Sequence, residues 1–157
     1  VDSVAAGLDP KQSCKVTTTG NITLSGTQTI DGVSVSAGDR VLVKDQSAAG
    51  ANGIYIANAS TWTRSSDMAV GSSAAGASMF IEQGTLNGDM GFVCTSNKGS
   101  DVVGTDSLSF SQYTGASNIT AGAALSKTGD TLNVEVDDST IEVSSDALRL
   151  KDAGITN

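Results

Sequence analysis

The sequence predicts an all-β protein: a compact antiparallel β domain, sandwich- or barrel-like, followed by a thin β tail. Three observations predict it. Short apolar runs with the two-residue period of a strand recur from Val16 to Leu150. Asp–Gly and Asn–Gly pairs stand between such runs, where a hairpin needs left-handed backbone. Finally, 22 Ser, 17 Thr and 18 Gly make up over a third of the 157 residues, against a single Pro. That texture suits exposed strand faces and tight turns better than amphipathic helices.

The elements follow in chain order. Residues 1–13 (VDSVAAGLDPKQS) carry a short apolar patch ended by Asp9–Pro10 and read as an arm or a helical turn, with the arm set at 1–14. The compact domain spans 15–114. In it, Thr17 to Thr19, Ile22 and Leu24 alternate polar with apolar, and TIDGVSV (29–35) sets Asp31–Gly32 between two β-branched runs, the strongest short-range hairpin signal. After a turn at Ala37–Gly38–Asp39, RVLVK (40–44) is a strand with Val41 and Val43 on one face. DQSAAGANG (45–53) is a loop of small polar residues, and IYIANA (54–59) and TWTRS (61–65) are two further strands. DMAVGSSAAGA (67–77) follows no period and reads as a long surface loop. SMFIEQ (78–83) and MGFVCTS (90–96) form a hairpin across GTLNGD (84–89), with Asn87–Gly88 as its left-handed positions. A loop at 97–106 leads to the strand SLSFSQYT (107–114).

After Gly115 the texture changes. A Gly/Ala/Ser/Thr stretch (115–130) precedes three short alternating runs: Leu132, Val134 and Val136; Ile141 and Val143; Leu148 and Leu150. A lone pair of strands is marginal in water, so these seven side chains are expected to bury themselves against neighbouring copies, or against rungs above and below. Residues 115–157 therefore read as a fibrous, interlacing segment, and the seven as a subunit interface. The chain opens on Val1, which reads as a processed start or a fragment, and closes on KDAGITN with neither cap nor charge cluster, as if the parent chain could continue.

Composition excludes several functions. With no histidine there is no Ser–His or Cys–His pair, no imidazole ligand and no histidine switch. A net charge of −8 argues against nucleic acid or an anionic membrane surface as partner. No run of about 18 apolar residues would span a bilayer. Neither a phosphate-cradling GxxxxGK[ST] or GxGxxG loop nor a GxSxG elbow occurs, and no loop has the D-x-[DN]-x-[DN]-G spacing of a calcium site. No catalytic residue, cofactor or metal is therefore expected.

Few side chains remain as candidates. Glu135 with Asp137 is the nearest carboxylate pair, with the separation a glycosidase could use, yet on an exposed face with no pocket to raise either pKa. Tyr55, Trp62 and Tyr113 offer faces on which a sugar ring could stack, or else they anchor the core. Cys14 and Cys94, 80 residues apart, are either a disulfide or two small buried hydrophobes. The loops 45–53, 67–77 and 97–106 are where a receptor-contacting site would sit.

The run VTTTGNITLSGTQTIDGVSVSAGDRVLVKDQSAAGANGIYIANASTWTRSSD (16–67) resembles a module of tail-fibre and related virion proteins of tailed bacteriophages. The most specific parts are NITLSGTQTIDG (21–32), AGDRVLVKDQ (37–46), NGIYI (52–56) and the group Trp62–Thr63–Arg64. FIEQGTLNGDMGFVCT (80–95) and ITAGAALSKTGDTLNVEVD (119–137) continue the resemblance in the same order. Two stretches depart from it: the 67–77 loop is poor in charge, and Cys14 replaces a more usual aliphatic residue.

The resemblance implies a non-enzymatic structural part of a phage particle, most often of a tail fibre, acting in assembly and host attachment. It implies a homotrimer whose tail is a β shaft, other virion proteins as partners and a host surface receptor or glycan as a further one. The protein would be assembled in the bacterial cytoplasm and carried on the extracellular virion. A receptor- or glycan-binding module and a capsid decoration or head-fibre protein are the alternatives.

Overall fold

Short apolar runs separated by polar loops rich in Gly, Asn, Asp and Ser can pair but cannot grow long. The structure, a computed structural model, describes residues 7–114, 121–128, 131–136, 141–145 and 147–150, and they form an all-β protein. Its strands are β1 (Asp9–Pro10), β2 (Val16–Thr17), β3 (Gln28–Ile30), β4 (Val33–Val35), β5 (Arg40–Val43), β6 (Gly53–Ile56), β7 (Thr63–Arg64), β8 (Ala77–Ile81), β9 (Met90–Cys94), β10 (Phe110–Gln112), β11 (Leu125–Thr128), β12 (Thr131–Val134), β13 (Ile141–Ser144) and β14 (Ala147–Leu150). Helix is limited, among the described residues, to 3-10 turns at Ala49–Ala51 and Ser66–Met68. The chain divides into two units, Val1–Gly115 and Ala116–Asn157.

The first unit holds two four-stranded sheets, β1-β8-β9-β10 and β2-β5-β6-β7, and the hairpin β3-β4. The pairs β5-β6, β6-β7, β8-β9 and β9-β10 are antiparallel, but β1 joins β8 and β2 joins β5 in parallel. The wholly antiparallel domain expected from the sequence is thus a mixed one. The reason is a single extended ribbon, residues 9–18, that runs past both sheets in one direction. Asp9, Lys11 and Cys14 donate their N–H groups to Gly76, Ser78 and Phe80 (2.7, 2.7 and 2.8 Å). At the next residue the ribbon changes partner, and Lys15 and Thr18 donate to Arg40 and Leu42 (2.8 and 3.0 Å). From Asp9 onward, the expected N-terminal arm is built into the sheet.

Two apolar layers flank β5 and β6. Leu42 and Ile54, opposite each other in register, point to a core shared with Met79, Ile81, Phe92 and Cys94 of the other sheet. Val41, Val43 and Tyr55 point the other way, into a second core with Val16, Ile30, Val35 and Trp62. A strand buried on both faces reads as a continuous apolar run, which explains RVLV and GIYI. The outer face of the β1-β8-β9-β10 sheet, by contrast, is open: Phe80 stands 48% exposed between buried Met79 and Ile81.

The expected Asp31–Gly32 hairpin forms, with φ of 47° and 77° at the two turn residues. Between β8 and β9 the expectation fails, because the left-handed residues are Gly84 and Asp89 instead of an Asn87–Gly88 pair. The cause lies across the gap. This loop turns its Leu86 and Asn87 N–H groups onto the two oxygens of the Asp31 carboxylate, each at 2.9 Å, while Thr85 donates to the Asp31 carbonyl (2.9 Å). A Cβ on Gly84 would lie 2.5 Å from Asp31 Oδ2, so only glycine lets the carboxylate in. The tips of two hairpins far apart in sequence are thereby latched.

Cys14 and Cys94 are free and buried in one core. Cys14 lies beside Ile81, while Cys94 lies level with Ala77 on the opposite side of β8. Four residues of strand is about 13 Å, well beyond disulfide reach. Burial pushes the Cys14 thiol up to about 12, although the Arg40 guanidinium lies nearby. Both are buried hydrophobes.

Asp31→Asn, which tolerates the same backbone, should lower the stability of the protein by about 1–3 kcal/mol, the loss of charge-assisted bonds to two N–H groups. Urea unfolding should show this as a lower midpoint with an unchanged slope.

Candidate functional site

The three loops expected to carry a receptor site converge. Leu108, just beyond the 97–106 loop, donates its N–H to Ala49 (3.1 Å), and the Asn52 amide ties 45–53 to the same residue by accepting from Gln46 N–H (2.9 Å) and donating to the Leu108 carbonyl (2.8 Å). The loops 67–77 and 97–106 close on Asp101, a carboxylate only 2% exposed. It accepts from the Ser73 hydroxyl and from the N–H groups of Ala74 (3.1 Å), Ala75 (2.9 Å) and Gly99 (2.8 Å). The Ser73 hydroxyl first, then these N–H groups, hold its carboxyl down at about 2 against the desolvation of burial. Both carboxylate oxygens of Asp101 are thus engaged within the protein, three donors on Oδ2 and one on Oδ1. The loops are braced surfaces rather than open ones.

The residues that carry the 16–67 motifs also turn out to be braces. Trp62, 4% exposed, donates its indole N–H to the Gly26 carbonyl (2.8 Å). Tyr55, 6% exposed, donates its hydroxyl to the Ala51 carbonyl (2.7 Å) and carries the Arg64 guanidinium 4.6 Å above its ring. Arg64 in turn donates to the Asn52 and Gly50 carbonyls (2.5 and 2.9 Å), lying across β6 at Gly53, where a Cβ would sit 2.2 Å from its Nη1. Of the three rings considered for sugar stacking, then, Tyr55 and Trp62 are closed into the core, and Tyr113 alone, at 47% exposure, faces solvent.

Sequence reasoning overlooked the ring that joins Tyr113. Phe80 is paired in register with Gly91, and Tyr113 donates its N–H to the Gly91 carbonyl (3.0 Å), so all three share one row on the open face. The signal was available in the alternation of SMFIEQ, which turns Phe80 outward once Met79 and Ile81 turn inward.

The second unit carries two hairpins, β11-β12 and β13-β14. In the first, Leu125 is opposite Val134 and Lys127 opposite Leu132; in the second, Ile141 is opposite Leu150 and Val143 opposite Leu148. Directly opposed residues share a face, so each hairpin has one apolar side. Leu125, Leu132, Val134, Ile141, Val143, Leu148 and Leu150 are all 39–61% exposed, and Val136 is half-buried. The hairpins flank an open cleft of about 440 Å³ lined by Leu132, Asn133, Val134, Val143 and Leu148. Leu125 belongs with the seven interface residues expected from the sequence; the Ala-rich stretch before it hid the strand.

Other candidates find little support. Glu135 is exposed, and Asp137 lies outside the described residues. Among the described residues no three His, Cys, Asp or Glu side chains converge as metal ligands, and no helix is long and apolar enough to cross a membrane. No protein-family model matches the chain, and no curated protein or solved structure is significantly similar to it.

Because the Asp101 carboxyl titrates lower in the folded protein than in the unfolded chain, its contribution is complete above the ordinary carboxylate range and fades as pH falls from about 5 towards 2. Asp101→Asn should therefore cost about 1.5–3 kcal/mol at neutral pH. It should also flatten the acid side of the stability–pH profile, measured by thermal melts between pH 2 and 7.

Proposed function

We propose that the protein is a non-enzymatic structural module of a bacteriophage virion, part of a tail fibre, whose second unit joins copies of the chain into a homotrimeric β shaft. The observation that carries the assembly half of this reading is the apolar side of each C-terminal hairpin. Seven aliphatic side chains, from Leu125 to Leu150, stand 39–61% exposed on strands of four residues. Leu125, Leu132, Asn133, Val134 and Glu135 are all exposed, as are Ile141, Val143, Leu148, Arg149 and Leu150. Two-stranded hairpins of that size are marginal alone, and covering the exposed part of each side chain contributes on the order of 1 kcal/mol. Copies of the same face supply that cover, and the open cleft beside Leu132 and Leu148 leaves room for aliphatic side chains from a neighbour.

The virion half rests on the motifs between residues 16 and 137. Its partners are further copies, the adjoining virion proteins and a host surface receptor; its place is the extracellular particle, assembled in the bacterial cytoplasm. A capsid decoration or head-fibre role shares the same physics and differs only in location.

Sedimentation equilibrium of the 157-residue chain should give three protomers, and Leu132→Ser combined with Leu148→Ser should give one, with Trp62 emission unchanged. A monomeric parent chain with ordered hairpins overturns the assembly reading. Antibody labelling of intact virions should decorate tail fibres; labelling confined to heads moves the module there, and none removes it from the particle.

A further inference from the structure

We propose that the open face of the β1-β8-β9-β10 sheet binds a neutral or N-acetylated saccharide, stacked on the row Phe80–Gly91–Tyr113. This concerns the first unit and does not depend on the assembly reading.

The row is a built floor. Strands lie about 4.8 Å apart, so Phe80 and Tyr113, two strands apart, present rings from backbones roughly 10 Å apart. Between them Gly91 has no side chain of its own, and its neighbours fold over it. A Cβ there would lie 2.9 Å from the Thr114 Cγ2 methyl and 2.9 and 3.0 Å from Tyr113 Cε1 and Cζ, so the ring and the methyl together cover the glycine. The negative face of an aromatic ring attracts the partly positive C–H groups of a pyranose face. Beyond the rings, the next row on this face holds half-buried Val93 and the exposed hydroxyl of Ser111, followed by the exposed Ser109 and Thr95, whose hydroxyl donates to the Ser109 carbonyl (3.4 Å); the Ser111 and Ser109 hydroxyls are suited to pairing with those of a sugar.

Size and charge choose the occupant. Half-exposed rings offer about 100 Å² each, roughly 200 Å² together, against about 800 Å² per partner in a stable protein interface. A patch of this size bordered by hydroxyls fits one or two sugar rings, not a second protein. Two residues beyond Phe80 and Gly91 along their strands stand Glu82 and Asp89, both exposed. Their charges, on a chain of net charge −8, disfavour acidic sugars.

The test is a titration of the full chain with cellotriose, maltotriose, chitotriose and, as the acidic control, sialyllactose, followed by amide NMR shifts. At least one neutral or N-acetylated trisaccharide should saturate shifts at Phe80, Gly91 and Tyr113, and sialyllactose should bind more weakly. Tyr113→Ala should weaken binding about tenfold, as removal of a stacked ring does. Gly91→Val, which lifts the ring, should do the same, while Tyr113→Trp should retain binding. Trp62 emission reports whether each variant is folded; if Tyr113→Ala disturbs it, Phe80→Ser makes the same comparison from the other end of the row. Absence of saturable shifts with all three trisaccharides, binding that survives loss of either ring, or preference for sialyllactose overturns the proposal.

Discussion

The first unit depends on one change of backbone partner. Between Cys14 and Lys15 the N-terminal ribbon passes from the Phe80 carbonyl to the Arg40 carbonyl, while Cys14 and Lys15 return their own carbonyls to the N–H groups of Glu82 and Gln83 at 2.9 and 2.8 Å. Cys14 is thus bonded to the β8 side on both of its backbone groups, and Lys15 to one side through its N–H and to the other through its carbonyl. That join holds the sheets at the separation their shared core requires. Side chains reinforce it: Arg40 reaches the Gln12 carbonyl (3.2 Å) and Asp67 (2.5 Å), and Lys15 reaches Asp39 (2.7 Å). A residue at this join has water on neither side, which is why Cys14 is fully buried and a small apolar side chain is needed there.

Given that join, β5 becomes the central element, and its neighbours are arranged to cover it twice. Leu42 faces one core and Val41 and Val43 the other, so the hairpin β3-β4 serves mainly as a lid over the second core. The lid is fastened at its tip by the Asp31 carboxylate. The far loops are fastened in the same manner by Asp101. In both places a carboxylate accepts from consecutive backbone N–H groups, an arrangement in which short loops of small residues satisfy their own donors without secondary structure.

How much of this was legible follows from the range of each interaction. Alternation is a local property, so the strands at 29–35, 40–43, 78–81 and 90–94 and the Asp31–Gly32 turn could be read directly. The parallel pairing of residues 9–18 could not, since nothing local in DPKQSCKVT says which strand it will meet. The 84–89 loop was misread for the same reason: Asn87–Gly88 has the chemistry of a tight turn, but a carboxylate 55 residues away recruited its backbone. Rings were ambiguous until burial was known. Tyr55 and Trp62 have the same composition signal as Tyr113, and only the second core, assembled from residues 16–62, separates them.

The two units differ in how they satisfy the same composition. In the first, small residues let strands approach and loops fold back, and the apolar residues meet in two cores. In the second, four-residue strands with the same alternation find no second layer among the described residues, so their aliphatic side chains stay half in water. A sequence selected only for solubility would replace Leu132, Val134, Val143 and Leu148 by Ser or Thr, residues this chain uses freely on every other exposed strand face. Their retention costs solubility, which the assembly proposed above would offset by burial between chains. Strands too short to build a core alone can build one by repetition, and then folding of the tail and association of the copies become one process.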